Sequence, residues 1–159
     1  MSSTETLTEH LQALSTITPY SAATEHPFLV AAGTGTLSKE LLSLYLAQDR
    51  LYAAHAYPRF VGHLLAAVPF SSLDALTSTQ ERDNQHIVRV LSYSLQNCVR
   101  ESFDFFVETA ERFGLQLNGW RERRGTREYM DAMVAVATWG GLEEGLVFLW
   151  AMEKVNITV

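Results

Sequence analysis

The feature that most limits the possible folds is a long stretch, residues 70–113, that contains neither proline nor glycine. Within this stretch apolar residues recur in steps of three and four positions, which is the period of an α-helix with one buried face. They are Val88, Leu91, Leu95, Val99, Phe103, Phe106, Ala110 and Phe113. No strand-like alternation of comparable length appears elsewhere in the chain. The sequence therefore predicts an all-α fold.

Capping and helix-breaking residues divide the chain into about six helices. The predicted helices run from Thr4 to Ser15, from Pro27 to Gly33, from Ser38 to about Ala67, from Ser71 to Gly114, from Thr126 to Gly140, and onward from Leu142. Ser38 is a suitable N-cap, and Pro58 predicts a kink in the third helix. A break in the long fourth helix is expected near Asp83 and Asn84. Since no repeat or linker interrupts the pattern, we expect residues 1–159 to form one domain.

Charge and cysteine content narrow the classes of partner and compartment. Twelve Lys and Arg residues stand against 18 Asp and Glu, a net charge of −6, so no extended basic surface for nucleic acid or anionic membranes is expected. The single cysteine, Cys98, cannot form an internal disulfide and has no zinc-site spacing around it. The first 20 residues show no signal-peptide pattern and no apolar run long enough to span a membrane. We therefore expect a cytoplasmic protein, in which the Asn156-Ile157-Thr158 sequon is idle.

One carboxylate interrupts the apolar face of the third predicted helix. Asp49 lies in the stripe Leu42, Tyr45, Leu46, Asp49, Tyr52, Ala53, Ala56, Phe60. A charged group in a core is costly unless it is paired, so Asp49 could be a structural residue bonded to a buried Tyr, His or Arg. Alternatively it faces a pocket beside the phenols of Tyr45 and Tyr52, a set suited to a small ring that carries amine donors. Spacing alone leaves both interpretations open.

Three further groups give weaker signals. His55 and His63 lie two turns apart without a Glu-x-x-His motif, so we interpret them as polar groups bonded inside a bundle and expect no metal site. The basic run from Trp120 to Arg127 is interpreted as a solvated loop, although it could contact a phosphate or a partner subunit. Cys98 falls in the apolar pattern of a helix, where a free thiol usually behaves as a small core residue.

Several motifs together resemble one known family. They are His26-Pro27-Phe28, Gly-Thr-Gly-Thr-Leu at 33–37, Tyr45-Leu-Ala-Gln-Asp-Arg-Leu-Tyr52, and the Gly-Gly turn with its apolar helix at 140–154. This combination resembles the TenA/thiaminase II family. The resemblance implies a haem-oxygenase-like helical bundle that binds no haem and needs no cofactor, is usually a homo-oligomer, and acts in thiamin salvage by hydrolysing aminopyrimidines.

The resemblance also implies roles for three residues. Asp49 stands where the family has its pyrimidine-binding Asp, and it is the candidate catalytic residue. Tyr52 and Tyr129 stand where the family has tyrosines that face the ring. These three residues are the predicted substrate-binding set, and the expected ligand is a small pyrimidine.

The chain departs from the family at two places. Met152 aligns with the nucleophilic Cys of one branch and Asn156 with a usual Tyr, so a Cys-less type that uses carboxylates is expected. The family continues with further helices and a late catalytic Glu, so we expect the C-terminal helices to be lacking. Two alternatives remain open: a non-catalytic, degenerate bundle that binds a metabolite or partner, and an oxygenase or quinone-cofactor enzyme on the same bundle.

Overall fold

The computed structural model describes residues 5–14 and 19–158, with all side chains in those ranges except 101, 103 and 156–158. Every regular element in this part of the chain is helical and none is a strand, which confirms the all-α prediction. The helices are α1 (Leu7–Ala13), α2 (Ser21–Thr24), α3 (Pro27–Gly33), α4 (Lys39–Leu51), α5 (Tyr57–Ala66), α6 (Thr79–Arg100), α7 (Phe106–Phe113), α8 (Arg124–Trp139) and α9 (Leu142–Thr158). Two π-helical turns, Tyr52–Ala56 and Glu101–Phe105, join α4 to α5 and α6 to α7.

Local capping accounts for several of these bounds. The Ser38 hydroxyl accepts a hydrogen bond from the Leu41 N–H at 3.2 Å, which confirms the predicted N-cap of α4. Thr6 and Glu9 form a capping box at the start of α1. The predicted ends of this helix, Thr4 and Ser15, lie outside the described residues. α7 ends at Gly114 in the left-handed conformation (φ 62°), which glycine adopts at little cost.

The predicted start and break of the long helix are wrong. The chain forms turns after Ser71, and α6 begins at Thr79 and continues through Asp83 and Asn84. Asn84 is only 1% exposed, and its side chain donates to the Pro69 carbonyl at 3.0 Å and accepts from Gln80. Asn84 therefore anchors α6 to the preceding loop. The sequence pattern alone does not distinguish this role of an Asn from a helix break.

The kink expected at Pro58 is displaced toward the N-terminus. Pro58 lies in the first turn of α5, and the irregularity is the π-helical turn Tyr52–Ala56 that precedes it. In this turn the N–H of Tyr57 donates to the Tyr52 carbonyl, five residues back. The wider turn accommodates Pro58, which has no N–H to donate, without ending the helical rod.

The core has two parts, one along the α5 half of the α4–α5 rod and one along its α4 half. The larger part joins α5, α6, α8 and α9, with Phe60, Leu64, Leu91 and Met133 at most 2% exposed. The smaller part lies around α4, α7 and the loop that follows α7. α9 approaches α5 so closely that a Cβ on Gly145 would collide with Leu64. This contact fixes α9 against the rod that carries Asp49.

None of the helices in the described part of the chain is both long and apolar enough to span a membrane.

Candidate functional site

A cavity of 740 Å³, here called the first cavity, lies between α4 and the pair α8 and α9. The α4 side contributes Tyr45, Gln48, Asp49 and, at the start of the π-helical turn, Tyr52. These four residues share one helix face because they are spaced at three, four and seven positions. The opposite side carries Tyr129 from α8, Phe148 and Met152 from α9, and the start of α8 at Arg123, Gly125 and Thr126.

Two groups of aromatic rings line this cavity. The rings of Tyr52 and Tyr129 meet edge to face with their centroids 5.5 Å apart. Tyr129 stacks on Phe148 at 6.3 Å with an interplanar angle of 27°. At the other end of the cavity Phe28 lies against Tyr45 with a centroid distance of 4.7 Å. The wall offers flat apolar surfaces of the size of a single heteroaromatic ring.

The phenols around Asp49 remain neutral near pH 7. Burial, and then the negative charge of Asp49, raise the pKa of Tyr45. The same two causes, together with hydrogen bonding to Asp49, raise the pKa of Tyr52 strongly. Burial followed by the charges of Glu153 and Asp49 raises the pKa of Tyr129 to about 12. The site therefore combines a carboxylate with neutral hydroxyl groups that can donate hydrogen bonds.

The Gln48 side chain ties the loop before α8 to α4. Its Oε1 accepts from the Arg123 N–H at 2.7 Å and from the Thr126 hydroxyl at 2.8 Å, and its Nε2 donates to the Arg121 carbonyl at 3.1 Å. Arg123 and Thr126 themselves line the first cavity. Gln48 thus holds in place the segment that forms one edge of the cavity.

A second cavity of 620 Å³ lies on the other side of Asp49 and Tyr52, which line both cavities. Its walls come from the π-helical turn and the start of α5, from α6, from the second π-helical turn and from Glu153 on α9. The Tyr57 hydroxyl donates to the Glu153 carboxylate at 2.6 Å. The Cys98 thiol lines the same cavity and donates to the Ala53 carbonyl at 3.1 Å.

The structure brings the three predicted binding residues, Asp49, Tyr52 and Tyr129, together on the first cavity. Met152 also lines it, whereas the side chain of Asn156 lies outside the described residues. That the three residues bind a ligand stays a prediction.

The interpretation of His55 and His63 as groups bonded inside the bundle is wrong, because both are exposed. Their exposure places them on the outward side of the α4–α5 rod. Within the described residues, no group of three or more His, Cys, Asp or Glu side chains is arranged to hold a metal ion.

Sequence reasoning missed Gln48, Tyr57 and Glu153. Gln48 precedes Asp49 in the motif Leu-Ala-Gln-Asp, but its role depends on a loop more than 70 residues away. Tyr57 and Glu153 meet across a separation of 96 residues. No local signal marked Glu153, because polar residues also follow it near the end of α9.

Comparisons with known proteins identify relatives of the chain. A family model described as "TENA/THI-4/PQQC family" matches residues 14–156. A protein of Fusarium pseudograminearum (strain CS3096), named a probable transcription factor, is 30% identical over 135 residues, which are 82% of this chain and 25% of the relative. The chain thus spans about a quarter of the length of this curated relative. No solved structure gives a significant match to the chain.

Proposed function

The chain belongs to the TENA/THI-4/PQQC family and has its haem-oxygenase-like all-α fold. From this membership we propose that it acts in thiamin metabolism by binding a small aminopyrimidine in the first cavity. The observation that carries the proposal is the position of Asp49, a carboxylate placed between neutral phenols on one aromatic-walled cavity. A carboxylate can accept a hydrogen bond from an exocyclic amine or share a proton with a ring nitrogen. The rings of Tyr52 and Tyr129 would position the pyrimidine by stacking and edge contacts.

For the reaction we propose hydrolysis of the type attributed to the Cys-less branch. The thioether of Met152 cannot attack as a thiolate does, so covalent thiol catalysis at this position is excluded. Asp49 would accept a proton from the attacking water: a C–O bond forms, the C–N bond breaks, and the proton passes to the departing amino nitrogen, which leaves as ammonia. Because Met152 cannot act as a nucleophile, it also favours a second candidate function, in which the protein binds the pyrimidine without hydrolysing it.

We also propose that the protein is a homo-oligomer. Large apolar side chains of α6 and α7 are exposed to solvent, with Tyr93 at 66%, Val99 at 56% and Val107 at 49%. Exposed apolar side chains are typical of a face that another copy covers. Sedimentation of the purified protein tests this, and a monomer at micromolar concentration would contradict it.

Ligand-induced thermal stabilisation tests the binding proposal. At 100 times its Kd, 4-amino-5-aminomethyl-2-methylpyrimidine would add about 2.7 kcal/mol, equivalent to a rise in Tm of about 5–11 °C for a domain of this size. Asp49→Asn preserves the volume but removes the charge. We expect it to weaken binding by about tenfold or more, because hydrogen bonds to charged groups contribute about 1.5–3 kcal/mol.

Two controls separate binding from folding. Asp131→Asn changes an exposed carboxylate on α8 and should leave both stability and affinity unchanged. Tyr52→Phe keeps the ring and removes one hydroxyl, so it should weaken binding less than Asp49→Asn. If Asp49→Asn lowers the denaturation midpoint strongly while the folded fraction keeps its affinity, Asp49 is a structural residue and the site is wrong. Ammonia release distinguishes hydrolysis from binding alone.

A further inference from the structure

We propose that the second cavity is a binding site for a cationic group, such as a protonated primary amine, held between the carboxylates of Asp49 and Glu153. The proposal goes beyond the proposed pyrimidine site, because it assigns a ligand chemistry to a separate space on the other side of Asp49. It does not require that the first cavity bind a pyrimidine.

The charges around the second cavity have one sign. Asp49 and Glu153 line it, and among its described lining residues none is a Lys, Arg or His. The whole chain carries a net charge of −6, which adds to the negative potential in this space. A cavity bounded by low-dielectric walls focuses such a potential and raises the local concentration of cations. An anionic ligand would be repelled from the same place.

The Glu153 carboxylate is held in a defined position. The Tyr57 hydroxyl donates to Glu153 Oε1 at 2.6 Å. Burial, followed by this hydrogen bond, raises the pKa of Tyr57, so its phenol keeps its proton and remains a donor. The bond fixes one oxygen of the Glu153 carboxylate at the cavity wall.

The remaining polar lining suits the hydrogen bonding of an ammonium group. An ammonium carries three donors and no acceptor. Around the cavity Ser94, Asn97 and Ser102 provide oxygen acceptors in addition to the two carboxylates. The tyrosine rings of Tyr52 and Tyr57 add aromatic faces, which attract cations. The lining therefore offers several acceptors and aromatic faces to a protonated amine.

The single cysteine of the chain lines this cavity and can report its electrostatics. We would measure the rates at which Cys98 reacts with a cationic methanethiosulfonate, the trimethylammonium-ethyl reagent, and with the anionic sulfonatoethyl reagent. The ratio of the two rates, divided by the same ratio for free cysteine, cancels the intrinsic reactivity of the reagents. We expect this normalised ratio to be about tenfold or more in favour of the cation.

Matched variants assign the effect to the cavity. Glu153→Gln should lower the normalised ratio several-fold, whereas Glu143→Gln, an exposed carboxylate in the first turn of the same helix, should leave it unchanged. Circular dichroism checks that each variant is folded. Benzylammonium at millimolar concentration should slow labelling by the neutral methyl reagent, whereas benzyl alcohol, which has the same ring without the charge, should not.

Three results would overturn the proposal: a normalised ratio near one, a ratio that Glu153→Gln does not change, or no reaction of Cys98 with either reagent in the folded protein. The last result would mean that the cavity does not admit a small cation. Charge-selective labelling without thermal stabilisation by the pyrimidine would reject the proposed function and retain this inference.

Discussion

Replacing Gln48 with leucine would release the loop that borders the first cavity. The change keeps the approximate volume of the side chain but removes its hydrogen bonds to Arg121, Arg123 and Thr126. An intramolecular hydrogen bond contributes about 0.5–1.5 kcal/mol net. Two of the three bonds share one oxygen, and the loop atoms can bond to water after the change. We therefore expect the free energy of unfolding to fall by about 2 kcal/mol.

Urea denaturation and pyrimidine binding measure the two consequences of this change. For a protein of this size, a loss of about 2 kcal/mol lowers the urea midpoint by about 1 M. Binding should weaken as well, because Arg123 and Thr126 line the cavity and would no longer be fixed. Gln48→Glu keeps the two accepting positions and loses the donor to Arg121, so its loss of stability should be about half as large. Gln96→Leu, on the exposed side of α6, serves as the control.

The result that would refute this reasoning is a Gln48→Leu protein with an unchanged urea midpoint and an unchanged affinity. Such a result would mean that the loop keeps its position without the hydrogen bonds of the glutamine. A lower urea midpoint with unchanged affinity would mean that the Gln48 hydrogen bonds contribute to stability but not to the shape of the first cavity.

Two further predictions concern the core and the pH dependence of stability. Asn84→Leu should lower the free energy of unfolding by about 1–3 kcal/mol, measured in urea, because it removes two hydrogen bonds of a side chain that is 1% exposed, each contributing about 0.5–1.5 kcal/mol net, and pyrimidine affinity should not change. The Tyr129 pKa of about 12 means that the unfolded chain loses this proton first, near pH 10, so stability is retained below pH 10 and falls as the pH rises toward 12. Tyr129→Phe should make that decline smaller, and an identical decline in the two proteins would contradict the assignment.

The sequence predicted those elements whose signals are local. The helical period of residues 88–113, the N-cap at Ser38 and the bounds of α3 all follow from contacts within a few residues, and the structure confirms them. α2 has only four residues and carries no periodic pattern, so it could not be predicted. Asn84 was misinterpreted because its partner, the Pro69 carbonyl, lies in a loop whose path the sequence does not show.

The candidate site likewise contains residues that local sequence patterns predict and residues that depend on tertiary contacts. Asp49 was found because one charge in an apolar stripe is a local anomaly, and Tyr45 and Tyr52 lie at helical spacing from it. Glu153 stood beside other polar residues near the end of α9 and gave no such contrast. Its importance depends on Tyr57, which α9 reaches only because Gly145 allows close packing against Leu64. The second cavity is a product of this tertiary contact and could not be predicted from spacing.

The π-helical turn offers a physical reason for a cysteine at position 98. In a regular α-helix the Tyr57 N–H would donate to the Ala53 carbonyl, but here it donates to the Tyr52 carbonyl. The next residue, Pro58, has no N–H that could replace it. The Cys98 thiol donates to the Ala53 carbonyl at 3.1 Å and so supplies a donor that the helix itself does not. Pro58, the π-helical turn and Cys98 therefore form one structural unit, and this unit explains the thiol without any role for it as a nucleophile.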